Sequence, residues 1–162
     1  MSILQEKSLN HIPVMTSEVL DFLNVKKDGV YIDGTIGLGG HTYEILSRLS
    51  SKGKVIGLDR DTDALEISTK RLASFKKQIS LHHTSYHHIS TIMKLNNISK
   101  VDGILLDLGL SSMQLSSNNR GFSFQNNDTV DMRFDRSTGE TAKALIKRLT
   151  EEQLANIIFE YG

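Results

Sequence analysis

The chain has 162 residues, a length that suits one domain around a single core. Lysine plus arginine equals aspartate plus glutamate at 19 each, so overall charge argues neither for nor against a nucleic-acid partner. The absence of cysteine excludes disulfides and thiolate metal sites and suits a reducing cytoplasm, the expected location. The first residues, Met1 to Lys7, lack the apolar region of a signal peptide, and no run of about 18 apolar residues offers a membrane span.

Residues 1–10 are polar, and His11-Ile12-Pro13-Val14 reads as extended because a residue before proline avoids the helical region. Thr16 or Ser17 then caps a short helix carrying Val19, Leu20, Phe22 and Leu23 on one side. After the Asp28-Gly29 turn, Val30–Asp33 forms a first strand, and four glycines fall within the next seven residues, at Gly34, Gly37, Gly39 and Gly40. Tyr43, Ile45, Leu46 and Leu49 mark a helix. Val55–Asp59 is a second strand ending at an acid, and Asp61 or Thr62 starts a helix with Ala64, Leu65, Ile67, Leu72 and Ala73 facing inward. Ile79–His82 is a weaker third strand, and Ser85 caps a helix bearing Ile89, Ile92, Met93 and Leu95. Ile104–Asp107 is a fourth, buried-looking strand that finishes at a third acid.

Strands alternating with helices predict βαβ units, a parallel sheet and helices on both faces. Ligands of such sheets sit beyond the carboxyl ends of the strands, where Asp33, Asp59 and Asp107 all fall. From Leu108 to Gly139 the sequence turns rich in Ser, Asn, Asp and Gly without a sustained period, the mark of a long functional loop. Helices resume at Thr141 and at Thr150-Glu151-Glu152-Gln153, a capping-box pattern. A doubly wound sheet has five or more strands, so this chain reads as the front of something larger.

A glycine-rich turn between a strand and a helix lets a ligand approach the backbone and meet unpaired N–H groups. The dinucleotide pattern needs a glycine where Thr42 stands. An acid closing the first strand and followed by spaced glycines, as in Asp33 to Gly39, instead suits S-adenosylmethionine (SAM), whose sulfonium and amino groups favour nearby carboxylates that would repel a pyrophosphate. Asp59 sits where a ribose diol would be received. Asp107 would accept a hydrogen bond from an attacking amine or hold the SAM amino group. His82-His83 and His87-His88 lack a carboxylate between them and read as loop and cap histidines, so no metal is expected. Arg120-Gly121-Phe122-Ser123-Phe124 either stacks a splayed base beside a phosphate or tucks its rings into the core, and Asp131–Arg136 is similarly open.

Several uncommon motifs in order resemble the MraW/RsmH family: His11–Met15, Asp33-Gly34-Thr35 with Gly37–His41, Ile104–Ser112, Gln114-Leu115, Arg120–Phe124 and Asp131-Met132-Arg133. The resemblance implies a Rossmann-like α/β methyltransferase that uses SAM to methylate cytosine N4 in small-subunit ribosomal RNA. It also implies that Gly39, Gly40, His41, Asp59, Asp107 and Gln114 contact SAM. The family has phenylalanine near the adenine where this chain has Tyr86, and proline where Met113 stands.

The expected site therefore comprises Asp107 as catalytic residue and Asp33, Gly37, Gly39, Gly40, His41, Asp59, Tyr86, Asp107 and Gln114 around the cofactor. Arg120, Phe122 and Phe124 would meet RNA. Residues 1–111 would form the first part of the SAM-binding core and residues 112–162 the start of a helical substrate insert. The expected partner is small-subunit ribosomal RNA or the assembled subunit; nothing in the sequence sets an oligomeric state. The rival expectation is a fragment that binds SAM or RNA without turnover, with a nicotinamide-dependent reductase a distant third.

Overall fold

A computed structural model describes residues 13–117, 119–125 and 129–162, so the expectations for residues 1–12, including the extended His11 and Ile12, lie outside the described residues. The chain forms two compact units, Met1–Gly109 and Leu110–Gly162.

The first unit is a four-stranded parallel sheet in the order β3-β2-β1-β4, with β1 Val30–Asp33, β2 Lys54–Asp59, β3 Ile79–His83 and β4 Gly103–Leu105. Its helices are α1 Thr16–Leu23, α2 Gly40–Arg48, α3 Thr62–Arg71 and α4 Ile89–Leu95. Alternate strand residues point to opposite faces. Tyr31 and Val55 therefore join Leu20 of α1, Ile45 and Leu46 of α2 and Leu72 beyond α3 in one core. Ile32, Ile56 and Leu58 face the other way and pack with Ile92 of α4. Burial on both faces explains why these strands are nearly all apolar.

Several expectations need correction. The cap of α1 is Met15, in the left-handed region at φ 52°, while the Thr16 hydroxyl donates back to the Pro13 carbonyl at 2.8 Å. Phe22 is 91% exposed, because it lies about 200° around the helix from the buried Leu20. Ser85 accepts from the His87 amide and caps a short 3₁₀ turn, Tyr86–His88, that leads into α4, whose Leu95 is exposed; Ala73 is exposed as well. Most consequential is β4. Ile104 pairs with Ile32 at the rim of the sheet and is 46% exposed, so the strand is half-covered, and Asp107 lies two residues beyond its end.

In the second unit, α5 Ser112–Ser116 and α7 Glu151–Tyr161 each begin with a complete capping box, and Thr141 caps α6 Ala142–Arg148. Capping of this kind satisfies first-turn amides that short helices cannot pair internally.

Candidate functional site

The parallel sheet brings the ends of β1, β2 and β4 to one edge. Asp33 aligns with Gly57 on one side and Leu105 on the other. The strand order changes direction between β1, which pairs with β2, and β4, which returns to the far side of β1. Loops diverge at such a switch point and leave a crevice.

The glycine loop is held from several directions. Gly37 and Gly39 adopt φ of 50° and 75°, a region that costs an L side chain energy, and Gly39 caps α2 without any side-chain hydrogen bond. The first-turn amides of α2 consequently have no side-chain cap. Asp59 reaches across from β2: its Oδ2 accepts from the Gly37 amide at 2.8 Å and its Oδ1 from the Asp61 amide at 2.9 Å. Each oxygen retains a second lone pair for a further donor. Burial raises the Asp59 pKa, against the opposing effect of those two amides.

Asp33 does not present itself to a ligand. It is 1% exposed, with Oδ2 accepting from the Thr42 hydroxyl at 2.7 Å and Oδ1 from the Thr35 amide at 3.2 Å. Burial pushes its pKa up to about 6, with the nearby Asp59 and Asp107 adding in the same direction. The expected direct cofactor contact is thus replaced by an internal brace between β1, the loop and α2.

His41, in the first turn of α2, is 9% exposed. Its Nδ1 is buried without a hydrogen-bond partner, and its Nε2 lies 3.8 Å from Asp107 Oδ2. Desolvation lowers the imidazole pKa and Asp107 opposes this; the unsatisfied Nδ1 is the buried nitrogen, and Nε2 is the one that faces Asp107. The Asp107 side chain is 56% exposed, and its amide donates to the Thr35 hydroxyl at 2.7 Å. Tyr86 is half-buried, and a Cβ placed on Gly34 would meet its Cβ at 3.1 Å, which puts the root of its side chain beside the loop; its ring stacks on His87 at 4.6 Å.

The second unit holds the remaining expected residues. Gln114 is 4% exposed and closes the capping box, its Oε1 accepting from the Ser111 amide at 3.0 Å. Arg120, expected at a phosphate, is 3% exposed, with Nη2 donating to the carbonyls of Arg133 and Phe134 at 3.4 and 3.3 Å. Burial removes that guanidinium from the surface and makes it a brace of the 131–134 turn. Phe122 packs on Phe134 at 5.5 Å, whereas Phe124 is 99% exposed. Asp131 resolves the same way, since Arg133 donates to both its oxygens, from Nε at 2.8 Å and Nη2 at 3.0 Å. The Arg133 guanidinium holds the Asp131 carboxyl below the usual range.

Sequence reasoning missed Thr35 and Thr42. The signal for Thr42 was its place in the first turn of α2, but Thr35 depends on β4 lying beside β1, which no local pattern shows. The histidines find ordinary partners: His82 meets Asn96, His83 the Arg60 carbonyl and His87 the Ser85 hydroxyl. Among the described residues no three metal-ligating side chains gather, and no helix is long and apolar enough to cross a membrane.

A parallel sheet with this switch point, a glycine loop after β1 and an acid closing β2 defines a Rossmann-like α/β fold with its site at the carboxyl ends of the strands. Residues 8–162 match the MraW methylase family, and the chain belongs to it. It is 44% identical over 152 residues to the ribosomal RNA small subunit methyltransferase H of Clostridium botulinum, covering 94% of this chain and 49% of the relative. The protein of that name from Thermotoga neapolitana is also 44% identical, with 94% and 50% covered. Among solved structures, an rRNA methylase from Streptococcus thermophilus aligns over 51% of this chain and 49% of its own at 25% identity, with a TM-score of 0.43. The chain spans about half the length of the curated relatives it matches.

Proposed function

We propose that this protein methylates the exocyclic N4 amine of a cytidine in small-subunit ribosomal RNA, using SAM, in the cytoplasm. The observation that carries the cofactor reading is the acid-lined edge of the glycine loop, where the Asp59 carboxylate holds the Gly37 amide and the half-exposed Asp107 carboxylate lies 3.8 Å from His41 Nε2. That donor set suits a cation and would repel a pyrophosphate. The names of the relatives support ribosomal RNA as substrate.

The loop backbone at Gly37, Gly39 and Gly40, with His41, Asp59, Asp107 and Tyr86, would hold the cofactor. Asp33 shapes the loop from beneath. When bound, SAM supplies a methyl carbon activated by a sulfonium. Asp107 receives the hydrogen bond of the attacking amine, which sharpens a lone pair otherwise delocalised into the ring, and then takes the proton the amine sheds. A paired base hides its amine, so the cytosine must be splayed out, and the exposed Phe124 ring offers it a stacking surface. Residues from about 112 onward serve as the opening of a substrate-binding insert.

The test is incubation of the complete gene product with labelled SAM and small subunits lacking the modification. Label recovered in N4-methylcytidine supports the reading; label elsewhere, or none, sinks it. The half-covered β4 favours a second reading for the 162-residue chain alone, that it binds SAM without turnover. Calorimetric titration of that chain with SAM, beside the methylation assay, separates the two.

A further inference from the structure

We infer that Thr35 is a positioning residue for methyl transfer: its hydroxyl fixes the backbone of Asp107 and thereby the place of the carboxylate. The inference rests on the proposed reaction and adds a residue to it. Thr35 and Asp107 each lie two positions past neighbouring strands, β1 and β4. The Gly34 amide carries the backbone ladder one step further, donating to the Leu105 carbonyl at 2.9 Å. At the next step a side chain replaces the backbone, and the Thr35 hydroxyl accepts from the Asp107 amide at 2.7 Å.

This rung is anchored. The Thr35 amide donates to Asp33 Oδ1, and Asp33 Oδ2 accepts from the Thr42 hydroxyl, so a fully buried carboxylate ties the rung to the first turn of α2. Asp107 itself is more than half exposed, and His41 Nε2, 3.8 Å away, lies beyond hydrogen-bond reach of its carboxylate. The root of its side chain is therefore held mainly through its own amide. Misplacing a reacting group by about 1 Å can cost on the order of a hundredfold in rate, so a lost anchor reads out in turnover.

Valine keeps the shape and β-branch of threonine but cannot accept the Asp107 amide, whereas serine can. In the complete gene product, T35V should lower kcat about tenfold, a larger factor than it weakens SAM binding, and T35S should return most of the rate. In NMR exchange measurements the Asp107 amide should be protected in wild type and T35S and exposed in T35V. If T35V does not fold, T35A is read the same way. A wild-type rate in T35V, an equal loss of SAM affinity and rate, or unchanged protection of Asp107 overturns the inference. A wild-type protein that transfers no methyl group to cytidine overturns the proposed reaction instead. Amide exchange then decides by itself whether Thr35 holds Asp107.

Discussion

The carboxylate of Asp59 holds the amide of Gly37 at 2.8 Å, so the end of β2 fixes the loop that follows β1. The same carboxylate holds the Asp61 amide on its other oxygen. Asparagine at this position would offer one acceptor to two donors and turn an N–H against one of them. D59N should weaken SAM binding about tenfold or more, since leaving one buried donor unsatisfied costs roughly 1–3 kcal/mol. Isothermal calorimetry reads this directly, and an unchanged affinity would count against Asp59 as the organiser of the loop.

Asp33 makes stability depend on pH in an unusual direction. Its carboxyl titrates at about 6 in the folded protein and near 3.8 when freed from burial, so between those values the native state keeps a proton that the unfolded chain has lost. Stability contributed at this site therefore falls as pH rises through that window, by up to about 3 kcal/mol, and is flat above it. D33N removes the titration. Its stability relative to wild type should climb from pH 4 to pH 6 and then level off in urea unfolding; a difference constant with pH would contradict this account.

In the second unit the fork of Arg133 grips both oxygens of Asp131 and also reaches the Thr138 and Gly139 carbonyls. Lysine carries the charge without the planar fork. R133K should lower the melting temperature of this unit by about 2–4 °C without altering SAM affinity, as scanning calorimetry and titration of the same variant would show.

Phe124 presents a ring that is almost wholly in solvent. F124A should leave thermal stability unchanged but weaken binding to the small subunit about tenfold, the scale of one lost base stack. Filter binding measures this. Equal affinity for variant and wild type would remove Phe124 from the RNA surface.

Local rules carried much of this architecture. Val30–Asp33 is a strand because four residues bounded by glycine turns alternate into two cores, and Asp61 caps α3 because its side chain accepts from the Asp63 amide two positions on. The acids at the strand ends follow from strand length and parallel direction. What stayed hidden depends on partners distant in sequence. Ile104 looks buried by composition, yet its strand lies at the rim. Arg120 looks like a phosphate ligand until Arg133 and Phe134 return to it from more than ten residues away. Asp33 reads as a ligand contact only while Thr42 is out of sight.

The strand order β3-β2-β1-β4 also sets a sequence of assembly. β1 pairs with β2 and β2 with β3, each the next strand in the chain, so the glycine loop and its Asp59 clasp need only short loop closures. β4 must return to β1 from about 70 residues downstream, as the Asp33–Leu105 register records. Loop-closure entropy makes such a pairing a late event. On a ribosome still extending the chain, the glycine loop and its Asp59 clasp thus form before β4 locks Asp107 beside Thr35.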